Sequence, residues 1–244
     1  MNANWYEITL PKTENRTPIT LLVVTALEDE ARLLRGLLKS CTCRRLGRAR
    51  LSMGRLGQTP AALLRTGVGA AAMTEALSRE LAAAPPGLCL HLGYCAGAVP
   101  ALGAGELIVA AAVISQNHGG IFYPPADLPR RGLEVCRRQR LAASAGTLLS
   151  VPRPLWTASA KAALAQQYDA VGIDLESAAL AALCQAAGAP YLVVRAVLDP
   201  LEFPCPSGLA DSPRKQELEQ VPGFKANAAL ARGALAAFLQ GWAA

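Results

Sequence analysis

The run Ile19-Thr20-Leu21-Leu22-Val23-Val24-Thr25-Ala26 constrains the fold more than any other segment of the chain. A strand with one wet face alternates polar and apolar residues. A continuous, β-branched run with no such alternation is read as a strand buried on both faces. Similar runs recur at 88–93, 106–114, 147–151 and 191–198, and helical patterns lie among them at 28–39, 70–84, 158–168, 176–187 and 225–241. Alternating strands and helices predict an α/β fold, a three-layer α/β/α sandwich around a mostly parallel, mixed central sheet. Residues 1–17 are polar and predict a loose N-terminal arm. The proline-rich stretch 200–223 predicts a long irregular loop of the kind that forms lids or binding segments. With 244 residues and no internal repeat, the whole of 1–244 is expected to form a single domain.

Composition narrows the function classes. Apolar residues make up 52% and charged residues 17%, enough for a large core and too apolar for wholesale disorder. The net charge of +6 permits an anionic partner, but Phe 4, Tyr 5 and Trp 3 are too few for a single-strand stacking platform, so no nucleic acid is expected. The start lacks a basic segment followed by an apolar one, and Gly, Pro or a charge interrupts every apolar stretch before it could span a bilayer. A cytoplasmic protein is therefore expected. The seven cysteines, Cys41, Cys43, Cys89, Cys95, Cys136, Cys184 and Cys205, contain no paired zinc-type spacing. They read as small buried hydrophobes in a reducing compartment, with no metal.

Four segments place polar groups after strands, on the rim where α/β sheets hold ligands. Glu28-Asp29-Glu30 opens a helix, either as compensation for its positive end or as catalytic carboxylates. Thr66-Gly67-Val68-Gly69 and Gly93-Tyr94-Cys95-Ala96-Gly97 are glycine-containing turns, able to present N–H groups to an oxygen-rich ligand or simply to reverse the chain. In the fourth segment Glu176 stands at a strand-to-helix junction and Asp199 at the end of the next strand, so both carboxylates fall on one rim. Arg195, inside that apolar strand, requires an acidic partner.

Together these motifs resemble the nucleoside phosphorylase / methylthioadenosine–S-adenosylhomocysteine nucleosidase superfamily over roughly residues 19–200. The sharpest part is Asp174-Leu175-Glu176-Ser177 with Arg195-Ala196-Val197-Leu198-Asp199. Glu30-Ala31-Arg32 and Asp199-Pro200 look most like the hopanoid-associated phosphorylase branch, whose members act on an adenosylated lipid. The resemblance implies cleavage of the N-glycosidic bond of an adenine-type nucleoside, with Asp199 as the acid at the purine N7 and Glu30 as the base that activates water. Glu176 would hold the ribose hydroxyls, Leu175 would pack on the sugar, and Gly69, Cys95 and Gly97 would line the site. It also implies a homodimer or larger ring, and no cofactor beyond inorganic phosphate as co-substrate if the enzyme is a phosphorylase.

The sequence departs from the family pattern at Leu198, where serine is usual. It departs again at 93–97, which reads as one residue longer than the family turn, and at Val151-Pro152-Arg153-Pro154-Leu155-Trp156, the purine-stacking segment. A catalytically weakened nucleoside binder is the alternative these changes suggest. Water and phosphate both remain open as nucleophile. Three carboxylates after the first strand disfavour a dianion, while Arg32, Arg65 and His91 are candidates to bind one. His91 could equally be a satisfied strand-end histidine. His118, in a loop, could border the ribose 5′ side. The arginines 130, 131, 137, 138 and 140 form either a solvated helix face or a contact for an anionic lipid surface. A dinucleotide-binding fold is excluded by the absence of a G-x-G-x-x-G turn after the first strand.

Overall fold

The computed structural model describes residues 19–117, 120–203, 217–218 and 220–244. In chain order the elements are β1 (Leu21–Thr25), α1 (Glu28–Gly36), β2 (Lys39–Leu46), β3 (Ala49–Leu56), β4 (Thr59–Arg65), α2 (Ala70–Ala83), β5 (Leu88–Gly97) and β6 (Leu107–Ser115). They continue with β7 (Ile121–Phe122), α3 (Asp127–Arg138), β8 (Ala143–Ser150), α4 (Ala158–Tyr168), β9 (Gly172–Asp174), α5 (Ser177–Ala187), β10 (Tyr191–Asp199) and α6 (Phe224–Ala243).

Among the described residues, ten strands form one mixed sheet in the order β10-β6-β8-β9-β5-β1-β4-β3-β2, with β7 alongside β6. β5 also pairs in parallel with β10, so β5, β10, β6, β8 and β9 close into a ring. The rest of the sheet extends from β5 as a wing through β1 and β4, both parallel, to the antiparallel β3 and β2.

Side chains of β1 and β10 alternate between two cores. Leu22, Val24, Val193 and Val197 pack with α2 and α5 residues such as Leu77 and Leu180 on one face. Leu21, Val23, Leu192 and Val194 pack with Leu34, Val135 and Phe238 of α1, α3 and α6 on the other. This double burial is what the unbroken apolar runs anticipate. A third cluster around Ile173, Leu149 and Ala165 seats α4 against β8 and β9.

The five expected helices and the long strands lie within a few residues of their expected spans, whereas α3, anticipated only as a solvated face of arginines, has no expected span. The β2–β3–β4 meander has no counterpart in that reading, because its polar and basic residues (K-S-C-T-C-R-R-L in β2) interrupt every apolar run. The predicted arm at 1–17 and most of the 200–223 loop lie outside the described residues.

Two expectations are corrected. Gly93–Gly97 is no turn: β5 runs through it, paired to β10 as far as Ala96 and to β9 at Gly97. The glycines there make room for neighbours. A Cβ on Gly97 would sit 3.3 Å from both Pro200 Cα and Val197 Cγ1. The cysteines are not uniformly buried either. Cys89, Cys95, Cys136 and Cys184 are interior, whereas Cys41 and Cys43 are exposed on β2, and Cys205 lies outside the described residues. Among the described residues no helix is long and apolar enough to cross a membrane. Within α3, Arg137 pairs with Glu134 at 2.7 Å and Arg131 stacks 4.2 Å over Trp242.

Candidate active site

The carboxyl ends of β1, β5, β9 and β10 open onto a cavity of about 800 Å³, walled by Ala26–Glu30, Val68, Tyr94–Ala96, Ile173–Glu176, Leu198 and Asp199. Val151, Pro154, Leu155 and Trp156 close one side. Phe203, Leu218, Val221 and the α6 residues Phe224, Lys225, Ala228 and Arg232 add to the lining. The mouth therefore collects chemistry from four strand ends, as α/β sheets generally do.

Glu30 lies in the first turn of α1 and is 3% exposed. Its Oε2 accepts the backbone N–H groups of Ala26 (2.9 Å) and Leu27 (2.8 Å), capping the helix, and its Oε1 accepts Tyr94 N–H at 2.9 Å. The acidic opening thus serves the helix end through a residue that also lines the cavity. A carboxylate offers about four acceptor positions, so three N–H bonds leave one for a water. Burial pushes its carboxyl above the ordinary glutamate range, against the pull of those N–H groups and of Arg195.

Arg195 is fully buried in the middle of β10, directly across from Gly93 of β5. A Cβ at position 93 would collide with the guanidinium, so glycine is what admits the arginine. The acidic partner it requires is Asp174, with Nε donating to Oδ2 at 2.6 Å. Nη2 donates to Ser177 Oγ (3.0 Å) and to His91 Nε2 (3.1 Å), and lies 3.7 Å from Glu176 Oε2. Asp174 is further held by Ser150 Oγ at 2.6 Å and by the Ser177 hydroxyl. Arginine has only donors, so the His91 ring accepts and is neutral. Burial, then the charge of Arg195, holds its pKa well below the usual histidine value.

Glu176 is the N-cap residue of α5 and 5% exposed. Its Oε1 accepts Gly69 N–H at 2.7 Å, and Gly69 adopts φ 92°, a backbone setting that favours glycine. Burial raises the Glu176 carboxyl to about 7, offset in part by Arg195. Asp199 follows a register shift in β10 at Leu198, a bulge of the kind that re-aims a side chain at a strand end. Burial lifts its carboxyl to about 6 even though Lys161 opposes the shift. The Lys161 ammonium, 0% exposed on α4, donates to Asp199 Oδ2 at 2.7 Å and to the backbone oxygens of Asp199 (3.5 Å) and Pro200 (3.4 Å).

The family model of the Phosphorylase superfamily matches residues 20–240. The chain belongs to this superfamily. Among curated relatives, the 5′-methylthioadenosine/S-adenosylhomocysteine nucleosidase of Haemophilus ducreyi is 25% identical over 195 residues, covering 72% of this chain and 83% of the relative. The corresponding nucleosidase of Neisseria meningitidis, solved with methylthio-immucillin-A, superposes with a TM-score of 0.75 at 19% identity, over 91% of this chain and 97% of that one. Futalosine hydrolase of Helicobacter pylori gives 0.77 at 17% identity, over 92% and 97%.

For this superfamily member, the residues singled out in the sequence divide into two sets. Glu30, Glu176, Asp199, Leu175 and Cys95 line the cavity, and Gly69 borders it through its bond to Glu176. Gly97 packs behind the wall. The candidates for binding a phosphate are elsewhere. Arg32 is exposed on α1, Arg65 is held by Glu28 (3.2 Å) and by Arg48 O (2.9 Å), and His91 is sealed beneath Arg195. His118 lies outside the described residues. Lys161 and the α6 wall went unremarked in the sequence. Lysine in an Ala-rich helix reads as a solvated face, and the contribution of α6 is a product of tertiary packing.

Proposed function

We propose that the protein hydrolyses the N-glycosidic bond of a 5′-substituted adenine nucleoside, with water as the nucleophile. The observation that carries this reading is the charge of the cavity wall. Glu28, Asp29, Glu30, Asp174, Glu176 and Asp199 line it, and the cations beside them are already paired, Arg195 with Asp174 (2.6 Å), Lys161 with Asp199 (2.7 Å), Arg65 with Glu28 (3.2 Å) and Arg232 with Asp29 (2.8 Å). A phosphate dianion is repelled by such a wall, whereas a developing sugar cation is drawn to it.

In this mechanism Asp199, whose carboxyl keeps its proton close to neutral pH, donates to N7 as the base departs. General acid assistance of this kind contributes roughly 10²–10⁴-fold. Glu176 accepts hydrogen bonds from the ribose 2′- and 3′-hydroxyls and stabilises the oxocarbenium-like sugar. Glu30 takes the proton of the water that attacks C1′, using the acceptor position left free by its three backbone partners. Leu175 packs on the sugar, and Leu155 and Trp156 offer the base an apolar wall.

The relatives that act on methylthioadenosine support adenine as the leaving group and a thioether or similar group at the 5′ position. Leu198, lacking the usual serine hydroxyl, favours a non-catalytic binder. Lys161 argues the other way, because its ammonium supplies the carboxyl with a stronger hydrogen bond than a serine could. The deciding assay is adenine release from 5′-methylthioadenosine with and without inorganic phosphate. Equal release in both is expected. Release only with phosphate overturns the choice of water, and release in neither points to a bulkier 5′ group or to a binder.

A further inference from the structure

Far from the cavity, β2 carries Cys41 and Cys43 with their sulfurs 3.9 Å apart on the exposed edge of the sheet. Residues two apart on a strand point to the same side, which accounts for the meeting of the thiols. Three further observations distinguish this pair. Cys43 Sγ lies 3.3 Å from Ser52 Oγ of β3. The Ser52 hydroxyl foremost, with smaller contributions from Cys41, Arg35 and Arg50, holds the Cys43 thiol below the ordinary cysteine value, while partial burial and then its neighbour push Cys41 above. The ladder to β3 also breaks between Lys39 and Thr42, where Ser40 takes φ 52°, so Cys41 has no register partner. The interior cysteines differ in exposure and in the direction of their shifts: burial raises the thiols of Cys95, Cys136 and Cys184 and hides them from solutes.

We propose that Cys41 and Cys43 form a redox-active dithiol that a peroxide oxidises to an intrastrand disulfide. Cys43, as thiolate, attacks one peroxide oxygen. An S–O bond forms, the O–O bond breaks, and the departing oxide leaves as water or alcohol after taking up a proton. Cys41 then gives up its thiol proton and its sulfur attacks the resulting Cys43 sulfenic acid, forming the S–S bond while the S–O bond breaks and the departing hydroxide takes up that proton and leaves as water. Two thiols lose two electrons in total and the peroxide gains them. Closing the sulfurs from 3.9 Å to a bond of about 2.05 Å requires movement chiefly at Cys41, which has no register partner on β3.

The test is titration of the reduced protein with hydrogen peroxide, followed by alkylation and mass spectrometry. Wild type is expected to lose about 2 Da as a monomer, with positions 41 and 43 protected from alkylation and both recovered by dithiothreitol. Cys41→Ser is expected to stop at a sulfenic acid on Cys43, about 16 Da heavier and trapped by dimedone. Cys43→Ser is expected to react at least about tenfold more slowly than Cys41→Ser. Both positions are exposed, so serine there leaves the fold and the cavity untouched. The proposal is overturned if both thiols of oxidised wild type remain alkylatable, if the linkage is between molecules on a non-reducing gel, or if the two single variants react at equal rates.

Discussion

Asp199 and Lys161 are a pair in which each residue sets the behaviour of the other. Burial drives the Asp199 carboxyl up and the ammonium at 2.7 Å draws it down, leaving it at about 6. Replacing Asp199 with Asn is expected to lower adenine release by roughly 10²–10⁴-fold while leaving nucleoside binding measurable by calorimetry. Lys161→Met removes the opposing charge, so the pH at which activity is lost with the Asp199 proton is expected to move upward in a kcat profile. Arginine at 161 is expected to return that limb toward the wild-type position. Arg195→Met is the harshest of these changes, since it leaves Asp174 and its hydroxyl partners without a buried cation. Breaking a buried pair costs about 3–5 kcal/mol, a drop on the order of 10 °C in Tm for a chain of this size. At this scale the sequence was informative where a residue contradicts its surroundings. Arg195 in an apolar strand announces a partner, and Glu176 and Asp199 announce a rim. Lys161 announces nothing, because its isolation from water arises only when α4 packs against the end of β10.

At the scale of elements, β5 and β10 make the site by what β5 lacks. Gly93 faces Arg195 across the ladder, and a Cβ there would meet the guanidinium and come within 3.0 Å of Glu30 Oε1. Gly93→Ala is therefore expected to lower both Tm and adenine release. Gly36→Ala is the matched control: nothing lies within 4 Å of a Cβ there, and Gly36 ends α1 without a positive φ. It is expected to raise stability by about 0.4–1 kcal/mol in urea unfolding. The contrast explains why the Gly93–Gly97 segment misleads as sequence. Glycine signals a turn and a tight crossing equally well, and only the strand opposite distinguishes them. The long strands and the other five helices were legible because each follows a continuous apolar run or a helical period, whereas the arginines of α3 masked its extent. The β2–β4 meander was hidden by charge, which an outer wing of a sheet tolerates and a central strand does not.

For the molecule as a whole, the cavity carboxyls tie stability to pH. Glu176 titrates at about 7 and Asp199 at about 6 in the fold, each above its ordinary value, so between pH 4 and 7 the native protein binds more protons than the unfolded chain. Their contribution to stability is complete at low pH and is lost as pH rises through those values. His91, held neutral, works in the opposite direction as pH falls below the ordinary histidine range. Glu176→Gln isolates the carboxyl contribution, because glutamine resembles the protonated side chain at every pH. The Tm of this variant relative to wild type is expected to rise between pH 5 and pH 7 and to level off above the Glu176 value, and a flat difference between pH 5 and pH 7 would contradict the assignment.

The ring formed by β5, β10, β6, β8 and β9 bears on how the site behaves in time. A strand in a ring cannot peel away alone, since each member is zipped to a neighbour on both sides. Glu176 follows β9 and Asp199 ends β10, and both of these strands are zipped to β5. Opening of one strand therefore does not by itself separate the two carboxyls, and the ladder amides of β5 and β10 are expected to be among the last to exchange with solvent. The rim stays assembled, and on the proposed function a nucleoside arriving there meets a frame already set.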